Sequence, residues 1–136
     1  MKYTTRDLDI LARTLYGEAR GELQKYGLVS LIAVAQVVVN RYKKRFESSI
    51  EKVCLAPRQF SCWNKYDPNR EKILEVAETN MVFKKCRLVA KQVLDGKWPD
   101  ITDGCDHYHH FSIKPFWAAQ LEPKRIFGSH YFYNLK

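Results

Sequence analysis

The chain predicts a mainly helical α+β domain, and three features of the sequence support that expectation. Apolar residues recur at helical spacing between positions 5 and 42 and again between 70 and 95. From Lys97 onward that spacing is lost and Tyr, His, Phe and Trp dominate, which reads as loops with short strands. The 136 residues suit one domain with its own core, and no linker-like stretch or internal repeat divides them. Residues 1-136 are therefore assigned to a single domain with no separate binding module.

Thr5 or Asp7 suits the cap of the first helix, in which Leu8, Leu11, Ala12 and Leu15 form one apolar stripe. Gly17 and Gly21 weaken the helix beyond it, so Glu18 is expected at or near its C-terminal end. A carboxylate gains nothing from the macrodipole at that end, which suggests a purpose other than helix stability. The second helix, Leu28 to Tyr42, is apolar on most sides and is expected to be the buried centre of the domain. Asn40 and Arg41 end it, and the basic run to Arg45 reads as solvated surface. Ser48 or Ser49 caps a short helix through Ile50, Val53 and Leu55, which Pro57 breaks. Gln59 to Asn64 form a loop dense in aromatic and polar side chains, and Asp67-Pro68-Asn69 is a turn. Helical spacing then runs from about Arg70 to Asp95, with a break near Thr79-Asn80 and Gly96 as C-cap.

A formal net charge of +8 favours polyanionic partners: nucleic acid, an anionic membrane surface or an anionic cell wall. Lys and Arg are spread along the whole chain without a recognised binding motif, which speaks against a specific nucleic-acid module. The longest apolar stretch, Leu28 to Val39, is interrupted by Ser30 and Gln36 and is too short to span a bilayer, so no membrane insertion is expected. The N-terminus lacks the apolar core and cleavage site of a signal peptide. Cys54, Cys62, Cys86 and Cys105 have neither CxxC nor zinc-finger spacing, and free buried thiols are expected, with a local Cys54–Cys62 bridge as the alternative. Cys105, His107, His109, His110 and His130 are metal-ligand types, but their spacing matches no zinc motif and HExxH is absent. On a strand, His107 and His109 would share one face and His110 would take the other. No metal, no cofactor and a monomer are expected.

Tyr16-Gly17-Glu18-Ala19-Arg20-Gly21-Glu22 is the most informative segment: two acids four residues apart, among glycines, directly after an apolar helix. Glycosidic cleavage needs a carboxylic acid held ready to protonate the leaving oxygen, and a Glu leaving a core helix beside aromatic loops can be so placed. On spacing alone, two surface glutamates are the commoner reading.

Residues Leu11 to Glu22 resemble the opening motif of the SleB/CwlJ-type cell wall hydrolases, a family of spore-cortex-lytic enzymes with phage relatives. Further matches keep the family's order: Ala33 to Arg41, Ser49-Ile50 with Val53, Gln59-Phe60-Ser61-Cys62-Trp63, Asp100 with Thr102, Gly104 and Tyr108-His109, then Trp117-Ala118 and Ile126 to Tyr133. The resemblance implies a lysozyme-like domain of the goose-type lysozyme and lytic transglycosylase kind, acting on peptidoglycan glycan strands. The family's catalytic Glu falls on Glu18. Cys105 and Asp106-His107 depart from the pattern, where the family is usually apolar.

The resemblance further implies lytic transglycosylase chemistry, cleaving between N-acetylmuramic acid and N-acetylglucosamine to leave a 1,6-anhydro end. One acid/base suffices for that reaction. Hydrolysis would need a second carboxylate, with Glu22 the first candidate and Asp100, Asp103 and Asp106 the others. Gln59, Ser61 and Asn64 suit hydrogen bonds to the sugars; His109 is a further substrate-side candidate. Phe60, Trp63, Tyr108 and Trp117 offer flat faces to pyranose rings, or are core. Tyr108 is the first candidate for orienting Glu18. Without a signal peptide, synthesis in the cytoplasm and release through a holin pore, as for a phage endolysin, is the expected route to the wall. A non-catalytic wall-binding domain is the remaining class, and the intact Glu18 motif argues against it.

Overall fold

The structure is a computed structural model that describes residues 1–45 and 47–135. Helix α1 spans Thr5–Ala19. Its N-cap is Thr4 rather than Thr5 or Asp7: Thr4 Oγ1 accepts from the Asp7 N–H at 3.0 Å, and Asp7 Oδ2 accepts from the Thr4 N–H at 2.9 Å. This reciprocal pair satisfies two otherwise orphaned donors. The other Asp7 oxygen accepts from the Glu51 N–H at 2.9 Å, so one buried carboxylate ties α1 to α4, Ile50–Leu55. Helix α4 is capped by Ser49. Helix α1 runs through Gly17 to Ala19, which puts Glu18 in its last turn, at the C-terminal end where it was expected. A 3-10 turn, Arg20–Glu22, and the single-turn α2, Leu23–Tyr26, then redirect the chain.

Helix α3, Val29–Lys44, is buried continuously from Ser30 to Arg41. Its apolar surface on every side leaves it no solvated face, and it forms the centre of the domain. It runs past the expected end, and Arg41 is buried, at 4% exposure, rather than a surface stop. Nor is Lys44 simply solvated: its Nζ donates to the Gly104 carbonyl, Asp106 and Asn134. Helices α5, Asn69–Glu75, and α6, Met81–Leu94, fill the helical region expected there, and the break between them, at residues 76–80, includes the expected Thr79-Asn80. Asn80 caps α6 by accepting from the Phe83 N–H, and Gly96, at φ 73°, closes it in the left-handed region. Helix α1 packs chiefly along α6 and also touches α3, α4 and α5. Leu11, Leu15, Leu31 and Val34 are fully buried in that core. Each such side chain stabilises the fold by about 1.5–3 kcal/mol relative to exposure.

Strands β1, His107–His110, β2, Arg125–Phe127, and β3, His130–Tyr133, form an antiparallel sheet in the order β1-β3-β2. Tyr108 pairs with Phe132 and His110 with His130; these four share the face turned to the core, where Phe132 and His130 are buried. His107 and His109 share the opposite face with Tyr131 and Tyr133. Trp117 packs edge-on against His107, His109 and Tyr133 there. All four cysteines are buried and free, so Cys54 and Cys62 are not bridged.

Candidate active site

Glu18 lines a cleft of about 380 Å³ between the end of α1, the loop at residues 58–61 and the sheet. Both of its oxygens are held. The Tyr108 hydroxyl donates to Oε1 at 2.6 Å. The Cys62 N–H donates to Oε2 at 3.1 Å, with the Ser61 hydroxyl at 3.4 Å. Gly17 makes this possible. A Cβ at position 17 would lie 2.6 Å from Cys62 Cβ and 2.8 Å from both Cys62 Sγ and Ile73 Cγ2. Only a residue without a side chain lets the loop press onto α1 closely enough for its N–H to reach Glu18.

Tyr108 is fixed by its ring neighbours: Phe60 at 6.4 Å, Phe132 at 5.6 Å and His130 at 5.2 Å between centroids. Burial, and then the Glu18 charge, push its hydroxyl pKa well above the ordinary value, so it stays protonated and donates. The Cys62 thiol is raised by the same two causes, burial first, and stays neutral. His130 is 4% exposed, and its Nδ1 lies 3.8 Å from Glu22 Oε1, beyond hydrogen-bond reach. That nitrogen is the one buried side-chain polar atom without a partner among the described residues. Burial lowers the His130 pKa and outweighs the opposing pull of Glu22.

Of the residues expected to act, Glu18, Gln59, Ser61, Tyr108 and His109 line the cleft together. The His109 ring donates from Nδ1 to the His110 carbonyl and pairs through Nε2 with the Tyr133 hydroxyl, each at 2.8 Å. Phe60 does not offer a face to solvent: it is 1% exposed, beneath the Arg41 guanidinium. Trp63 is packed against the core, with its Nε1–H donated to Thr14 Oγ1 at 2.9 Å. Trp117 lies on the sheet face opposite Tyr108, away from the cleft lining, and Asn64 also falls outside it.

Glu22 does not meet Glu18 across the cleft. It is 8% exposed and accepts from the Ser129 N–H at 2.7 Å and the Ser30 hydroxyl at 3.4 Å. It therefore pins the β2–β3 turn, where Gly128, at φ 58°, leaves room for its carboxylate. The later acids are also engaged elsewhere. Asp100 accepts from Thr102, Gly104 and Asn40. Asp103 pairs with Lys124 and Arg125. Asp106 accepts from Lys44, His107 and the Leu135 N–H. Among the described residues, Glu18 is the only carboxylate lining the cleft.

Three lining residues were given no site role from sequence: Arg41, Arg58 and Asn69. Arg41 held the one legible hint, a cation at the end of a helix otherwise apolar all round. The others come from separate elements, and only folding brings them together.

Glu18 is thus a carboxylate held by a tyrosine hydroxyl and a backbone amide in a cleft between the helical core and the small sheet. A family model described as cell wall hydrolase matches residues 28–133, and the chain belongs to that family. The matched segment begins after Glu18. The fold is similar to the catalytic domain of the Bacillus cereus SleB protein, with a TM-score of 0.74 and 22% identity over 96% of this chain and 91% of that one. It is equally similar to the catalytic domain of the germination-specific lytic transglycosylase SleB from Bacillus anthracis, with a TM-score of 0.73 and 22% identity over 96% and 95%. The expected lysozyme-like α+β fold is thus the observed one. No curated protein matches the chain significantly.

Proposed function

We propose that this chain cleaves peptidoglycan glycan strands between N-acetylmuramic acid and N-acetylglucosamine as a lytic transglycosylase, with Glu18 as the single acid/base. One observation supports this most strongly: Glu18 is the only carboxylate lining the cleft among the described residues. Hydrolases that use two carboxyls hold them about 5–5.5 Å apart when retaining and about 6.5–9.5 Å when inverting. Here Glu22 and the Asp100–Asp106 acids are committed to structural bonds. Family membership supports the cell wall as substrate, and the similarity to the Bacillus anthracis lytic transglycosylase supports the reaction type.

In this reading Glu18 protonates the glycosidic oxygen as the bond to C1 breaks. Its carboxylate then takes the proton from the muramic acid 6-hydroxyl, whose oxygen bonds to C1 and closes the 1,6-anhydro ring. No water is consumed. The internal hydroxyl has a high effective concentration, so no protein nucleophile is needed. Tyr108 and the Cys62 N–H position Glu18, while Gln59 and Ser61 face the sugars. A net charge of +8 helps to hold the enzyme on an anionic wall. Glu18→Gln keeps the size of the side chain and removes its proton chemistry. It should abolish the clearing of purified cell walls while leaving the thermal midpoint nearly unchanged. Clearing at a near-normal rate would overturn the assignment.

A further inference from the structure

The cleft holds more positive charge than its one carboxylate can answer. Arg41 and Arg58 both line it, and Arg45 reaches the same place through Gln59. Gln59 Oε1 accepts from Arg41 Nη1 at 3.3 Å and from Arg45 Nη1 at 3.4 Å. Arg41 Nε donates to the Asp106 backbone carbonyl at 2.6 Å, and its guanidinium lies 4.9 Å from the centre of the Phe60 ring. None of the three arginines forms an ion pair with a carboxylate among the described residues.

That is an unusual state for Arg41, which is 4% exposed. Buried charges are ordinarily paired, because desolvation is otherwise uncompensated. Burial does act against this guanidinium, lowering its pKa, although arginine remains protonated at any working pH. Its Nη2 has no protein partner among the described residues. Arg58 has none for any of its donors there, and it is held on the cleft wall with φ 64°, in the left-handed region. Two guanidiniums with free donors, lining one cleft, match the planar fork that recognises a carboxylate.

Of the two alternating sugars in the proposed substrate, only the muramic acid residue bears an acid-bearing substituent. We infer that Arg41 and Arg58, backed by Arg45, form a carboxylate subsite that reads the acidic substituent of N-acetylmuramic acid and so sets which sugar occupies this side of the cleft. The carboxylate belongs either to the lactyl group, where no peptide is attached, or to the stem peptide joined to it. The inference rests on the glycan-cleavage reading above.

Three substrates test it, each digested by the full chain with kcat/KM measured from released fragments. The first is denuded glycan strands, stripped of peptide so that each lactyl carboxylate is free. The second is the same strands with those carboxylates capped as neutral methylamides. The third is strands that keep their stem peptides. Free or peptide-bearing strands should be cleaved about tenfold or more faster than capped strands, as expected for one charge-assisted contact. Arg58→Gln, at an exposed position, should shrink that preference toward unity. A preference for denuded free strands assigns the subsite to the lactyl group; a preference for peptide-bearing strands alone assigns it to the stem. Equal rates on all three substrates would overturn the subsite while leaving glycan cleavage intact. Failure to cut any of them would overturn the glycan reading, and the subsite with it.

Discussion

At the residue scale the central object is one carboxylate with two fixed donors. The bond from Tyr108 to Glu18, 2.6 Å long, is the shortest of those that hold Glu18 and involves a hydroxyl that burial keeps protonated. Tyr108→Phe removes that donor while keeping the ring packed between Phe60, Phe132 and His130. Loss of a hydrogen bond to a charged group is worth about 1.5–3 kcal/mol, so kcat should fall about 10- to 100-fold, with little change in thermal midpoint. Steady-state kinetics on solubilised glycan checks this. Glu18 and Tyr108 were both legible in the sequence, Glu18 from its motif and its poor fit to a helix C-terminus, Tyr108 from its place in a family-like run. Glu22 was misleading for a physical reason. Its four-residue spacing from Glu18 would matter only on a continuous helix, but the chain tightens into a 3-10 turn at Arg20 and turns Glu22 inward to the Ser129 amide. Phe60 and Trp63 resemble sugar platforms in sequence, because an aromatic loop residue does not reveal which way its ring points.

At the element scale the site depends on how closely the loop at residues 60–63 approaches α1. Gly17 sets that distance. Gly17→Ala places a methyl group 2.6 Å from Cys62 Cβ and forces the loop outward. Overpacking of this kind costs about 1–3 kcal/mol, and it should also weaken the Cys62 N–H contact to Glu18, so stability and kcat fall together. Gly21 is the control, because nothing lies within 4 Å of its would-be Cβ. Gly21→Ala should leave the urea midpoint unchanged or raise it slightly. Paired urea melts and rate measurements on the two variants separate close approach from general glycine effects. The helices themselves were largely legible from spacing and caps: α3 within two residues of its expected ends, Ser49 and Gly96 where caps were expected. The strands were anticipated only as a region, because their order β1-β3-β2 depends on pairings that no local pattern encodes.

At the scale of the whole molecule, buried titratable groups tie stability to pH. His130 and His107 both have pKa values below the ordinary 6.5, burial being the first cause in each. Between the folded and unfolded values the unfolded chain binds more protons, so stability is full above about 6.5 and declines as pH falls below it. In Asp106 burial acts upward, but hydrogen bonds from His107, Leu135 and Lys44 outweigh it, and the net shift is below the ordinary 3.8. Asp100 is likewise lowered overall by bonds from Thr102, Gly104 and Asn40 against burial. Their contribution is present above 3.8 and is lost as pH falls through their folded values. Thermal midpoints from pH 8 to pH 3 should therefore hold level, begin to drop in the histidine range, and drop further in the carboxylate range. A midpoint that rises on acidification would contradict these directions. The same scale shows why the family was readable from sequence before the cleft was: ordered motifs run along most of the chain, whereas the arginine-lined wall is assembled from α3 and a distant loop.

In the proposed reaction one carboxylate does the chemistry without water. This is tested most directly by digesting purified peptidoglycan with the full chain and weighing the released muropeptides by mass spectrometry. Fragments should end in 1,6-anhydro-muramic acid, lighter by one water, about 18 Da, than hydrolysed ones, because the 6-hydroxyl closes on C1. Fragments with ordinary reducing ends would contradict it and would require an attacking water activated beside Glu18.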